Sequence, residues 1–136
     1  MATMNLEGIE GIGKVYAQKL KKAGIRGTNM LLNKGSSPAG RKEIAKASGV
    51  SEKLILEWIN HCDLFRVKGI GPEYADLLEA AGVDTIPELA QRNPENLIAK
   101  LVETNNKKKL VRKLPTLKQV KNWLTQAKKL PRTIKY

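Results

Sequence analysis

Shifted by 58 positions, the chain matches itself. Residues 6–32 set against 64–90 give ten identities in 27 positions: Leu6/Leu64, Gly11/Gly69, Ile12/Ile70, Gly13/Gly71, Tyr16/Tyr74, Ala17/Ala75, Leu20/Leu78, Ala23/Ala81, Gly24/Gly82 and Leu31/Leu89. Ile9/Val67 and Ile25/Val83 add apolar matches. A looser echo follows, because Ser51 and Thr116 each precede a tryptophan by seven residues, Trp58 and Trp123. Such self-similarity divides the chain into two related units, 1–63 and 64–130, with a short C-terminal tail at 131–136. Each unit is small for a core of its own, so the two are expected to pack together as one compact body.

Within the units the apolar spacing is helical. Tyr16, Ala17, Leu20 and Ala23 share one face of a helix over 13–23, and Gly24 stands where a helix C-terminal glycine belongs. Pro72 opens the matching helix at its first position, where a missing amide hydrogen costs nothing, and Gly82 closes it. Ser51 can cap a helix bearing Leu54, Ile55, Trp58, Ile59 and Cys62. Asn93-Pro94 starts another with Leu97, Ile98, Leu101 and Val102. Thr116-x-x-Gln119 is a capping-box pattern before Leu117, Val120, Leu124 and Ala127, while Ser37-Pro38 and Thr85-x-x-Glu88 read as further starts. No segment sustains strand alternation. The expected fold class is all-α.

Charge is distributed unevenly along this frame. The 136 residues carry 25 Lys+Arg against 13 Asp+Glu, a formal net charge of +12. Residues 1–63 contribute +4, residues 64–98 contribute −3, and residues 99–136 contribute +11. A lesser basic cluster lies at Lys14, Lys19, Lys21, Lys22 and Arg26. A field of this kind favours polyanions, nucleic acid above an anionic membrane face. No apolar run approaches a membrane span, and Met1-Ala2-Thr3-Met4-Asn5-Leu6-Glu7 has neither the basic start nor the apolar stretch of a signal peptide. One cysteine excludes an internal disulfide and suits a reducing compartment. A soluble, cytoplasmic protein is expected, on the nucleoid or its equivalent if DNA is the ligand.

The repeated turn carries the chemistry. Ile9-x-Gly11-Ile12-Gly13-x-x-x-Ala17-x-x-Leu20 returns as Val67-x-Gly69-Ile70-Gly71-x-x-x-Ala75-x-x-Leu78. Glycines permit backbone angles closed to other residues and leave no side chain in the way of a ligand. The intervening Ile12 or Ile70 anchors the turn inward, and free amide hydrogens at the following helix start can hold a phosphate. These residues resemble the helix-hairpin-helix motif, which implies sequence-independent binding of the DNA backbone. Two copies are similar to the tandem arrangement in which paired hairpins grip both strands across a minor groove. Over nearly its whole length the chain also resembles the domain-of-unknown-function 4332 family. The residues that carry this likeness are Arg41-Lys42-Glu43-Ile44-Ala45, Ser48-Gly49-Val50-Ser51, Trp58, Gly69-Ile70-Gly71 and Asn93-Pro94-Glu95-Asn96-Leu97. That likeness implies a fold and no activity.

The hairpins differ in charge. Lys14 sits at the first helix start, although Glu10 precedes that turn; Lys68 precedes the second turn, but Glu73, Asp76 and Glu79 follow it. The first is therefore expected to bind phosphate, and the second to bind weakly, to be structural, or to meet a protein through the acidic helix over 73–79. Lys107, Lys108, Lys109, Arg112 and Lys113 place five cations in seven residues. Wound as a helix, that segment would turn Leu110, Val111 and Leu114 inward and track a sugar-phosphate backbone. Trp58 and Trp123 lie on apolar stripes, so no stacking platform for single strands accompanies the lysines.

His61 and Cys62 are the only residues of their kinds, too few for a zinc site. Gly8-x-x-Gly11-x-Gly13 follows no strand, which excludes a dinucleotide fold, and no Walker lysine motif occurs. The reading is a non-catalytic, sequence-independent backbone binder for double-stranded or structured DNA, favoured over RNA. No cofactor, metal, membrane or small-molecule substrate is expected. The alternatives are a protein-interaction scaffold that keeps the hairpin fold, an RNA- or ribosome-associated binder, and a small nuclease or lyase.

Overall fold

Start and stop signals written into the sequence place the helices. In a computed structural model that describes residues 5–136, the order is a 3-10 turn (Leu6–Gly8), α1 (Lys14–Lys22), α2 (Thr28–Lys34), α3 (Pro38–Ser48), α4 (Glu52–Leu64), α5 (Pro72–Ala80), α6 (Ile86–Ala90), α7 (Pro94–Lys108) and α8 (Leu117–Lys129). No strand occurs among the described residues, so the fold is all-α. The Met1–Met4 part of the signal-peptide reading lies outside them.

Most expected caps form. Ser37 Oγ accepts from the Gly40 amide at 3.1 Å, Asn93 Oδ1 from the Asn96 amide at 2.9 Å, and Ser51 Oγ from the Leu54 amide at 3.2 Å. Thr116 and Gln119 make a full capping box, 3.1 Å one way and 2.8 Å the other. Thr85 does start α6, but its side chain makes no cap; it is buried, and Glu88 instead takes the amide of Asp84 at 3.3 Å. On α7 the inward stripe is Leu97, Leu101 and Thr104, and Val102 faces out.

The helices gather into two units. One runs to Asp63 and takes in Thr133–Tyr136; the other is Leu64–Arg132. In the first, α1 packs on the 3-10 turn and on α3, and α2 packs on α3. Its core is aliphatic, with Leu6, Ile9, Leu20, Ile25, Leu31, Ile55 and Ile59 fully buried. Each such side chain contributes about 1.5–3 kcal/mol relative to exposure. In the second, α5 packs on α7, and both α6 and α7 pack on α8, around Leu64, Leu77, Leu78, Ile86 and Trp123.

The last four residues are part of the first unit and not a separate tail. Ile134 is buried, the Lys135 amide donates to the Ser36 carbonyl at 2.7 Å, and Arg41 Nη2 donates to the Lys135 carbonyl at 2.9 Å. Arg41 is itself buried, and its other nitrogen meets the Gly35 carbonyl at 2.9 Å. A buried guanidinium costs free energy unless its donors are taken, so these two carbonyls make its position tenable.

Candidate nucleic-acid interface

The two glycine turns share one backbone geometry. Gly11 stands at φ +91° and Gly69 at φ +99°, angles that favour glycine. One residue on, the Ile12 amide donates to the Ile9 carbonyl at 3.1 Å and the Ile70 amide to the Val67 carbonyl at 3.2 Å, closing each turn. Both isoleucine side chains are buried, so the turns are pinned from beneath. Gly13 and Gly71 then serve as extended N-caps (φ −91°, ψ −170° and φ −100°, ψ −171°) with no capping side chain.

Beneath each turn lies a tryptophan. Tyr16 meets Trp58 edge-on with ring centroids 5.1 Å apart, and Tyr74 meets Trp123 tilted at 5.3 Å. A Cβ added to Gly11 would lie 3.7 Å from Trp58 Nε1, and one added to Gly69 would lie 3.0 Å from Trp123 Nε1. The repeated tyrosines and the echoed tryptophans therefore hold the turns, and neither tryptophan is available to stack a base.

What the turns present outward differs. At the first, Gly11, Gly13 and Lys14 are exposed, and the amides of α1's first turn have no partner within the helix. Their partial charge, the helix dipole and the Lys14 ammonium add in one place. At the second, Pro72 stands where the first unit has Lys14, removing both the cation and an amide hydrogen. Gln126 of α8 clamps the Lys68 backbone, its Oε1 accepting from the Lys68 amide at 2.9 Å and its Nε2 donating to the Lys68 carbonyl at 3.1 Å. Exposed Glu73 follows. Asp76 and Glu79 are half-buried on the same helix.

Sequence reasoning had no means of finding Gln126. It lies on the exposed edge of an amphipathic stripe, 58 residues from its partner.

The basic segment is not the expected helix. α7 ends at Lys108, Lys109 turns left-handed (φ 50°, ψ 51°), and residues 109–116 form a loop. A continued helix would set Lys108 against Arg112 and Lys109 against Lys113, like charges one turn apart, and Pro115 bars a helical residue before it. The loop is nonetheless held. Asn105 brackets Val111, its Oδ1 accepting from the amide at 3.0 Å and its Nδ2 donating to the carbonyl at 3.1 Å. Tyr74 Oη donates to the Lys113 carbonyl at 3.0 Å, joining the loop to the first turn of α5. Val111 is buried, Leu110 and Leu114 half-buried, and Lys107, Lys108, Lys109, Arg112 and Lys113 all exposed. The tie through Tyr74 brings the loop beside the helix that follows Lys68, Gly69, Ile70 and Gly71. Among the described residues Lys107 has an ion-pair partner, Glu103 at 3.4 Å.

The same loop is an insertion. The caps Ser37 and Asn93 are offset by 56 residues, whereas Ser51 and Thr116 are offset by 65, so the second unit is nine residues longer between them. α3 has 11 residues and α7 has 15, and the rest falls in the loop. Those extra residues contain the five cations.

His61 and Cys62 are buried in α4. Burial, and then the adjacent Asp63 charge, push the Cys62 thiol well above its ordinary 9.0. Among the described residues no group of three or more His, Cys, Asp and Glu gathers to hold a metal ion, and no helix is long and apolar enough to cross a membrane.

The family described as a domain of unknown function (DUF4332) matches residues 10–130. No curated protein and no solved structure gives a significant match to the chain.

Proposed function

The chain belongs to the DUF4332 family, and we propose from its own residues that it is a non-catalytic binder of nucleic-acid backbones, for double-stranded or structured DNA in preference to RNA. The observation that carries this reading is the insertion formed by the last turn of α7 and the loop after it. Nine residues absent from the first unit bring five exposed cations on a tethered backbone, and no feature of the repeated core requires them. Cations placed this way release counterions from phosphates without reading bases. The first hairpin adds a directional contact, with the Gly13 and Lys14 amides and the Lys14 ammonium on one phosphate. The second hairpin, clamped by Gln126 and lacking an amide at Pro72, is assigned to support Lys68 and the loop.

The test is fluorescence anisotropy of a labelled duplex at several salt concentrations, comparing wild type with Lys14→Glu and with a charge-neutralised 107–113 segment. If about six phosphates are neutralised, the log–log slope of affinity against salt is about −5, and both variants flatten it. A slope near zero overturns the reading. Competition between duplex DNA and duplex RNA assigns the preference. The rival reading, a basic protein docking on the acidic side of α5, rests on Glu73, Asp76 and Glu79; a partner that stays bound after nuclease treatment would favour it.

A further inference from the structure

The first unit carries a cleft of about 490 Å³ lined by Arg26, Gly27, Asn29, Met30, Asn33 and Lys34. Helical spacing builds it. Thr28, Leu31 and Leu32 of α2 turn into the core, which leaves Asn29 with Asn33, and Met30 with Lys34, as two columns one turn apart on the outer side. Arg26, just before the helix, faces the same space. The cleft thus combines two cations, two carboxamides and a thioether that is 38% exposed. Its volume lies in the range of small-molecule sites.

The second unit shows that the fold does not require this chemistry. The repeat register still holds here: Lys34 Nζ would lie 3.7 Å from a Cβ on Gly24, and its counterpart Arg92 reaches the Gly82 carbonyl at 3.4 Å. Core-facing Leu31 is matched by Leu89, yet Arg26 is matched by Asp84, Asn29 by Pro87 and Met30 by Glu88. The same structural position sets two acids, Asp84 and Glu88, beside Gln91 and Arg92 in the second unit, where the first has two cations, two carboxamides and a thioether.

We propose that this cleft binds a nucleoside monophosphate. Arg26 and Lys34 take the phosphate. Asn33 is exposed and offers a donor beside an acceptor, the pattern that pairs with the edge of a base, while half-buried Asn29 lines the same cleft. The Met30 thioether packs on the base face. The inference stands on the cleft and not on the hairpins. The nucleotide comes either free or as an unstacked residue of a strand.

The test is a titration of the isotope-labelled full chain with adenosine 5′-monophosphate, with inorganic phosphate and adenosine as separate probes, followed by NMR. Saturable shifts of the Asn29 and Asn33 side-chain amides and of the Met30 methyl are expected with the monophosphate. Inorganic phosphate should leave the Met30 methyl unmoved. Met30→Glu and Arg26→Asp, the residues of the second unit, should each weaken binding by about tenfold or more, the first by replacing apolar packing with a carboxylate and the second by removing a charged contact. Both sites are exposed, and an otherwise unchanged spectrum shows that the variants fold. Shifts that never saturate, or that survive both substitutions, overturn the proposal. Anisotropy on a perfect duplex and on one with an unpaired nucleotide then separates the sources. Weakening by Met30→Glu on the second alone identifies an unstacked residue, and no effect on either identifies the free nucleotide. A protein that binds no duplex leaves the mononucleotide titration intact, so the two readings fail separately.

Discussion

Gly11 and Gly69 share a backbone angle but not a clearance, and the difference can be measured. At either position alanine meets the strain of a positive φ, about 1–2 kcal/mol. At Gly69 the added carbon also sits 3.0 Å from Trp123 Nε1, against 3.7 Å from Trp58 Nε1 at Gly11. Urea denaturation should therefore show Gly69→Ala costing more than Gly11→Ala, by about 1 kcal/mol. Cys62 gives a second expectation. Its thiol is raised above 9.0 in the folded protein by burial and by Asp63, so folding favours the protonated form. The stability it contributes is fully present below that pH and is lost as pH rises beyond it, because the unfolded chain ionises first. Stability should fall above about pH 9 in wild type and less so in Cys62→Ala, in unfolding curves taken across that window. A thiol reagent at pH 8 should modify Cys62 only at the rate of unfolding.

Among the elements, the loop after α7 bears most directly on the proposed function. Asn105 satisfies both the amide and the carbonyl of Val111, and its replacement by alanine leaves a buried residue's backbone pair without those partners. A loss of about 1–2 kcal/mol is expected, with faster hydrogen exchange at the Val111 amide. Since Asn105→Ala removes no charge, it should lower DNA affinity less than neutralising 107–113, and it should leave the salt slope unchanged. Helix α8 depends on its capping box, so Thr116→Ala should cost about 1 kcal/mol. α8 also carries Trp123 beneath Gly69 and Gln126 on Lys68, so that loss should be seen at the Gly69–Gly71 turn in its amide chemical shifts.

At the scale of the molecule, two units of common pattern differ in charge at matched surface positions. Lys14, Lys21 and Arg26 of the first correspond to Pro72, Glu79 and Asp84 of the second, while Leu20/Leu78 and Ala17/Ala75 remain identical and buried. The matched positions that pack in the core keep apolar residues in both units, while these solvent-facing ones differ. The first unit is closed in part by residues distant in sequence. Ile134→Ala, which empties a buried site among residues of that unit, should cost about 2 kcal/mol or more in a denaturation midpoint.

The sequence by itself determined the helices, most of their caps and the repeated turn. These depend on contacts within a few residues: a Gly-Ile-Gly run, a Ser or Asn before Pro, a Thr three residues before Gln. Where a local pattern was the only guide, as at Thr85 and along 107–114, burial or charge repulsion overrode it. Tertiary structure alone decided that Gln126 would clamp Lys68 58 residues away, that Asn105 and Tyr74 would hold the basic loop, and that Thr133–Tyr136 would return to the first unit. None of these leaves a periodic trace, because a side chain that binds a distant backbone group needs only the right reach and position. The cleft at Arg26–Lys34 has the same origin: its residues show no pattern in their order, and come together only when α2 turns them to one side.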